Sequence, residues 1–78
     1  QVYPQPAGEH FVVELPNVDL SQGYEMVLRD LNGRELCRAP LQQNPTVFDR
    51  ENLASGIYFL QISAKYEAPV FSSKLILK

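Results

Sequence analysis

The side chains that could perform chemistry in this sequence are few and widely separated. It contains one cysteine, Cys37, and one histidine, His10, and no carboxylate or cysteine lies at ligand spacing from that histidine. Nucleophilic catalysis needs a base beside the nucleophile, and a metal site needs several ligands at short intervals. The four glycines are too scattered to form a phosphate-binding loop. The residues therefore predict no catalytic group, no metal site, no cofactor and no small-molecule substrate, and a protein that is not an enzyme.

Charge and hydropathy argue against further classes of partner. Seven basic and nine acidic residues give a net charge of -2, and neither sign forms a run, so nucleic-acid binding is not expected. No apolar stretch approaches the roughly 20 residues of a membrane helix, and residues 1–10 lack the pattern of a signal peptide. A single cysteine cannot form an internal disulfide, and we interpret Cys37 as a small buried or half-buried hydrophobic residue.

Aromatic side chains leave one alternative open, which is a carbohydrate-binding or adhesion module of a secreted enzyme. Such modules stack aromatic rings against sugar rings on a sheet face or a loop. The outward candidates are Tyr24, Phe59, Tyr66 and Phe71, and there is no tryptophan. Aromatic residues on edge strands also serve simply as packing residues, so the residues by themselves do not decide between the two roles.

The positions of these side chains depend on a pattern of strands. Apolar residues alternate with period two along most of the chain, and no window shows a helical period free of prolines and β-branched runs. The 78 residues are interpreted as one domain, with residues 1–8 as a leader. Predicted strands cover residues 11–15, 24–31, 34–39, 45–50, 57–65 and 71–78, and a seventh forms if residues 1–3 pair at an edge.

The turns indicate how these strands are arranged. Turn signals recur about every eight to twelve residues, which is typical of an all-β, immunoglobulin-like antiparallel sandwich of six to seven short strands. Asn32 and Gly33 lie between two alternating runs and predict a hairpin with a type I′ turn, in which both residues take positive φ. Asp30 is expected to accept backbone N–H bonds at this turn. The alternation assigns to the core Phe11, Val13, Met26, Leu28, Leu36, Phe48, Tyr58, Leu60, Ile62, Leu75 and Leu77.

The segment 53–62, "LASGIYFLQI", predicts a tyrosine corner. In immunoglobulin-like sandwiches a tyrosine near the start of one strand turns its hydroxyl back onto the upstream backbone and tethers the preceding loop. Tyr58 has this position, with its ring inside and its hydroxyl on a loop carbonyl or amide. Gly56 is expected to permit a tight backbone entry because it has no Cβ.

Four segments, in order along nearly the whole chain, resemble the C-terminal sorting domain of cargo proteins of the type IX secretion system of Bacteroidetes. Residues 2–15, "VYPQPAGEHFVVEL", are similar to the family's opening Tyr-Pro-Asn-Pro and strand, with Gln5 in place of the asparagine. Residues 28–36 are similar to its hairpin. Residues 53–62 are similar to its most recognisable segment, and residues 72–78, "SSKLILK", to its basic and aliphatic ending. The matching positions are Asp30, Gly33, Arg34, Leu53, Gly56, Tyr58, Ile62, Lys74, Leu75, Ile76, Leu77 and Lys78, and Asn32 belongs to the same hairpin as a turn residue.

The resemblance implies a transport tag that carries no catalytic activity. In the family, an outer-membrane translocon recognises the folded domain, and a surface sortase of cysteine-peptidase type then cuts just upstream of it. The attached cargo, which precedes the tag, is joined to lipopolysaccharide or released. The tag would thus pass through the periplasm on its way to the outer membrane and the cell surface or the medium.

The last strand is where the resemblance places recognition. Lys74, Leu75, Ile76, Leu77 and Lys78 are expected to contact the translocon, through an outer face and a free edge whose N–H and C=O groups a partner strand can pair. A free edge would also allow an edge-strand dimer. The plainer interpretation of the same residues is a last strand with solubilising lysines at its edge.

Overall fold

The computed structural model describes residues 1–17, 19–64 and 67–78, and this part of the chain is built mostly of β-strands. It contains seven strands, because the segment at the N-terminal edge also pairs. Their bounds are β1 (Val2–Tyr3), β2 (His10–Val13), β3 (Tyr24–Arg29), β4 (Glu35–Pro40), β5 (Thr46–Asp49), β6 (Gly56–Ala64) and β7 (Phe71–Leu77). One 3-10 turn, Leu20–Gln22, precedes β3. No helix among the described residues is long and apolar enough to span a membrane.

The strands form two antiparallel sheets, which confirms the predicted all-β sandwich. β1, β2 and β5 make the smaller sheet in that order, and β4, β3, β6 and β7 make the larger one. β4 and β5 are consecutive in the chain but belong to different sheets, and each lies at an edge of its own sheet. β7 is the other edge of the larger sheet.

The core lies between the sheets and follows the predicted alternation. Nine of the eleven predicted core side chains are buried, while Leu36 and Phe48 are partly buried against them. The rings of Phe11 and Phe48 stack with their centroids 5.7 Å apart. The core also includes side chains outside the predicted set, among them Val2, Ala7, Leu15 and Leu41.

Residues 1–8, expected to act as a leader, contribute to both sheets. Val2 pairs with Val13 in the smaller sheet. Ala7 is fully buried and forms an isolated parallel bridge with Leu77 in the larger one. The segment therefore crosses from one sheet to the other.

The predicted hairpin at Asn32 and Gly33 is present, but its turn is not type I′. Gly33 has φ of 84°, whereas Asn32 does not have positive φ. The Gly33 N–H donates to the Asp30 carbonyl at 3.0 Å, and the Asp30 N–H donates to the Arg34 carbonyl at 3.0 Å. This is a three-residue loop with glycine in the left-handed position, a common alternative to the two-residue turn. The Asp30 carboxylate favours it by accepting the N–H groups of Asn32 and Arg34, at 2.9 Å and 3.0 Å.

Cys37 is exposed, so the expectation of a buried or half-buried residue was wrong. The pairing of β3 with β4 shifts register between Leu28 and Arg29, which leaves Leu36 without a partner of its own. Leu36 therefore packs against the core, while Cys37 lies opposite Leu28 on the uncovered edge strand β4. Desolvation, with nearby acidic side chains, still raises the pKa of the Cys37 thiol, so little thiolate forms.

Candidate recognition surface on the last strand

The alternation of β7 divides the five predicted recognition residues between two environments. Leu75 is fully buried and Leu77 is 2% exposed, so both belong to the core and are closed to a partner. Lys74 and Lys78 are exposed and Ile76 is half-buried. Only these three side chains of the predicted set therefore face outward.

The neighbouring strand β6 enlarges this outward face. Ile57 lies opposite Ile76, and Phe59 lies opposite Lys74, in the pairing of β6 with β7. Ile57 is 43% exposed and Phe59 is 44% exposed, although most other large apolar side chains are buried. We call Ile57, Phe59, Lys74, Ile76 and Lys78 the β7 patch. No salt bridge within the described part of the chain involves Lys74 or Lys78, so the patch combines apolar surface with two positive charges.

The edge of β7 is not free along its second half, which corrects the sequence-based expectation. The Gln5 side-chain amide donates to the Lys74 carbonyl at 2.8 Å, and its oxygen accepts the Ile76 N–H at 3.0 Å. The Ala7 N–H donates to the Ile76 carbonyl at 2.7 Å, and the Lys78 N–H donates to the Ala7 carbonyl at 2.9 Å. The free-edge prediction failed because residues far apart in sequence meet only in the folded sandwich.

Arg50 was not predicted from the sequence, yet it fixes the end of this strand. Its guanidinium donates to the Lys78 carbonyl at 2.7 Å and to the Gly8 carbonyl at 3.3 Å. It also donates to the Leu53 carbonyl through two nitrogens, at 3.2 Å and 3.0 Å. Arg50 thereby ties the β5–β6 loop to the last residue of the chain. A lone arginine in a turn gives no sequence signal for this role, since its acceptors are backbone carbonyls.

The tyrosine corner has the predicted geometry. The Tyr58 hydroxyl donates to the Ala54 carbonyl at 2.6 Å, and the tyrosine is 9% exposed. Gly56 is needed for a different reason than expected. No atom lies within 4 Å of a Cβ built there, so close approach is not the constraint. Its φ of 152° is the constraint, because residues that carry a side chain rarely adopt that backbone conformation.

The residues of the quoted motifs meet at one end of the larger sheet. The pairing places Arg29 opposite Phe59 and Gly56 opposite Leu77. The Asp30–Arg34 hairpin, the β5–β6 loop and the end of β7 therefore lie at the same pole. The carboxylate of Asp30 lies 3.3 Å from the guanidinium of Arg34, and the Arg34 backbone N–H in particular lowers the pKa of Asp30.

The side chains that the sequence offered for sugar binding or for chemistry do not form a common site in the described part of the structure. Of the proposed sugar-stacking rings, Tyr24 and Phe71 pack against the core and Phe59 stands exposed, while Tyr66 lies outside the described residues. His10 pairs with Asp49 across β2 and β5, at the surface. Within residues 1–17, 19–64 and 67–78, no group of three or more potential ligands could hold a metal ion.

Comparison with known proteins gives a match to a protein family. No curated protein and no solved structure matches the chain. The model of a family described as the secretion system C-terminal sorting domain matches residues 1–78, the full length given. The chain therefore belongs to the family of type IX secretion C-terminal sorting domains, which direct attached cargo to the cell surface or the extracellular space.

Proposed function

We propose that this non-catalytic domain is recognised, in its folded form, by the outer-membrane translocon through the β7 patch. The cargo is attached ahead of residue 1 and crosses the periplasm with the tag. A surface sortase then cuts upstream of the domain and frees the cargo. Family membership supports the sorting role, and the exposed surface of β6 and β7 supports the site of recognition.

The observation that carries the site is the exposure of Ile57 and Phe59 beside Ile76, at 43% and 44% for the first two. Leaving apolar side chains in water offers no stability to a domain this small, whereas an apolar centre with a charged rim is the usual composition of a protein-binding surface. Lys74 and Lys78 supply the charged part of that rim. No salt bridge among the described residues pairs either lysine with a carboxylate, so they favour an acidic partner.

The geometry of the two poles is compatible with an attached cargo. Gln1 lies near Phe71, at the start of β7, where both residues line a pocket of about 390 Å³ together with Leu15. Lys78 lies at the opposite end of the strand, beside Arg50. A cargo attached ahead of residue 1 would therefore leave the domain at the end of β7 opposite Lys78.

A reporter export assay tests this proposal. Residues 1–78 are fused behind a periplasmic reporter in a host that carries the secretion system, and surface reporter is measured. Lys74→Glu with Lys78→Glu reverses the charge of the patch without touching the core, and each change is expected to alter stability by no more than about 0.5 kcal/mol. We expect the reporter to accumulate in the periplasm while the melting curve of the isolated domain stays nearly unchanged.

The control adds negative charge elsewhere. Gln42→Glu with Gln43→Glu lies on an exposed loop, and export of this variant is expected to be normal. Deleting residues 74–78 is not a useful test, because it removes Leu75 and Leu77 from the core. Normal export after reversal of both lysines would show that they only solubilise the edge. Recognition would then have to lie elsewhere, and the Asp30–Arg34 hairpin at the same pole is the next surface to test.

A further inference from the structure

The outward edge of β7 is the longest sheet edge that the described residues form. β7 has seven residues, against six in β4, four in β5 and two in β1. A long edge is a template for pairing with another chain, and proteins usually cover it or interrupt it. Here the residues Gln5–Ala7, which we call the edge cap, cover it from Lys74 to Lys78.

The edge cap imitates a strand with very few groups. The side-chain amide of Gln5 takes the place of a backbone peptide, because it donates to one β7 carbonyl and accepts one β7 N–H. Ala7 supplies the other two bonds through its backbone. Pro4 and Pro6, on either side of Gln5, have no N–H and so offer no donor to a further strand. The cap therefore ends the sheet.

The part of the cap that precedes Ala7 is lightly held. Pro4, Gln5 and Pro6 are exposed, and only Ala7 is buried. The cap does not form a regular strand on β7, and its β-pairing is a single isolated bridge from Ala7 to Leu77. The two hydrogen bonds of Gln5 are exposed, and hydrogen bonds that water can reach are replaced by solvent at little net cost. A continuous strand would bond to the whole length of β7 and would replace these contacts with more numerous ones.

We propose that the edge cap covers a strand-docking site, and that an extended acidic segment of the export machinery displaces the cap and pairs with β7. The acidic character follows from Lys74 and Lys78, which flank Ile76 on the exposed face and lie beside any added strand. A second copy of the chain fits poorly, because antiparallel pairing centred on Ile76 would set Lys74 against Lys78, and opposed like charges destabilise a sheet. The inference rests on the proposed function only for the source of the segment.

A peptide titration of the isolated 78-residue chain tests the docking site directly. The probe is a synthetic seven-residue peptide in which glutamate alternates with valine, and its counterpart has lysine in place of glutamate. Binding is followed by NMR of the backbone amides. Gln5→Ala weakens the cap, Gln5→Glu keeps an acceptor for the Ile76 N–H but loses the donor to the Lys74 carbonyl, and Gln42→Ala is a matched control on an exposed loop.

We expect the acidic peptide to shift the amides of Ile76 and Lys78 and to bind about tenfold more tightly to Gln5→Ala than to the unaltered chain, because the competing cap is less populated. Gln5→Glu should fall between the two, and Gln42→Ala should match the unaltered chain. In Gln5→Ala without peptide, the Ile76 amide should exchange its hydrogen faster. The amides of Leu75 and Leu77, which point toward β6, should not.

Four results would overturn the inference. These are no binding of the acidic peptide, equal binding of the lysine peptide, an affinity that Gln5→Ala leaves unchanged, and dimerisation of Gln5→Ala by sedimentation, which would make a second copy the occupant. Each result is independent of the export assay on Lys74 and Lys78. Peptide binding without an export defect would reject the patch, and with it the export machinery as the source of the segment, but keep the docking site. An export defect without peptide binding would reject the docking site alone.

Discussion

Replacing Tyr58 by phenylalanine isolates the hydroxyl of the tyrosine corner. The ring stays in the core, and the change removes only the donor that lies 2.6 Å from the Ala54 carbonyl. A net hydrogen bond contributes about 0.5–1.5 kcal/mol, and a fully buried orphan group would add a penalty of about 1–3 kcal/mol. Ala54 is exposed, so water can reach its carbonyl and most of that penalty does not apply.

We therefore expect Tyr58→Phe to lower the free energy of unfolding by about 1 kcal/mol. For a domain of this size, that corresponds to a drop of about 4–8 °C in Tm. Circular dichroism during heating measures the change, and a urea titration provides a second estimate. At an m value of about 1 kcal/mol/M, the midpoint should move by roughly 1 M.

Tyr3→Phe is the matched control for this experiment. The Tyr3 hydroxyl donates to the Glu14 carboxylate at 2.9 Å, but this bond is exposed to solvent. Its loss is expected to change stability by no more than about 0.5 kcal/mol. If both variants melt like the unaltered protein, the Tyr58 hydroxyl makes no stabilising bond in solution, and the tether assigned to the corner is refuted.

Two further changes probe the pole where the motifs meet. Gly56→Ala places a side chain on a residue with φ of 152° and should lower the free energy of unfolding by about 1–3 kcal/mol, measured by thermal or urea unfolding. Gly8 does not have positive φ, so Gly8→Ala should be nearly neutral. Equal effects of the two changes would refute the backbone argument. Asp30 has a lowered pKa, chiefly because of the Arg34 N–H, so its stabilisation is present above the unfolded pKa of about 3.9 and is lost as the pH falls through the folded value. The Asp30→Asn variant should therefore lose less stability than the unaltered protein when the pH is lowered from about 6 to about 3. Urea midpoints that fall by the same amount in the variant and in the unaltered protein would contradict this.

Much of the fold could be predicted from the sequence because side chains alternate between the two faces of a strand. A side chain such as Leu28 or Leu75 is buried or exposed according to a local rule that needs no knowledge of the partner strand. The tyrosine corner was predictable because it too is local: Tyr58 and Ala54 lie close together in the chain. The turn type at Gly33 was less predictable, because the Asp30 carboxylate favoured one of two loops that the same residues permit.

The candidate site, too, was predictable only in the parts that depend on local sequence. Its outward side chains on β7 followed from alternation, and the family resemblance indicated where to look. The contribution of Ile57 and Phe59 depended on the register of β6 against β7, which no local pattern sets.

By itself the sequence determined an all-β domain, its hairpin, its corner and the inner and outer faces of its strands, because each depends on residues within a few positions. Only the tertiary structure decided the state of the β7 edge. The bonds from Gln5 and Ala7 to β7, and from Arg50 to the Lys78 carbonyl, join residues that are distant in the chain. Backbone carbonyls and N–H groups are present at almost every residue, so the sequence does not mark which of them will be paired. Their pairing depends on the path of the folded chain, and here that path closes an edge that the sequence indicated was open.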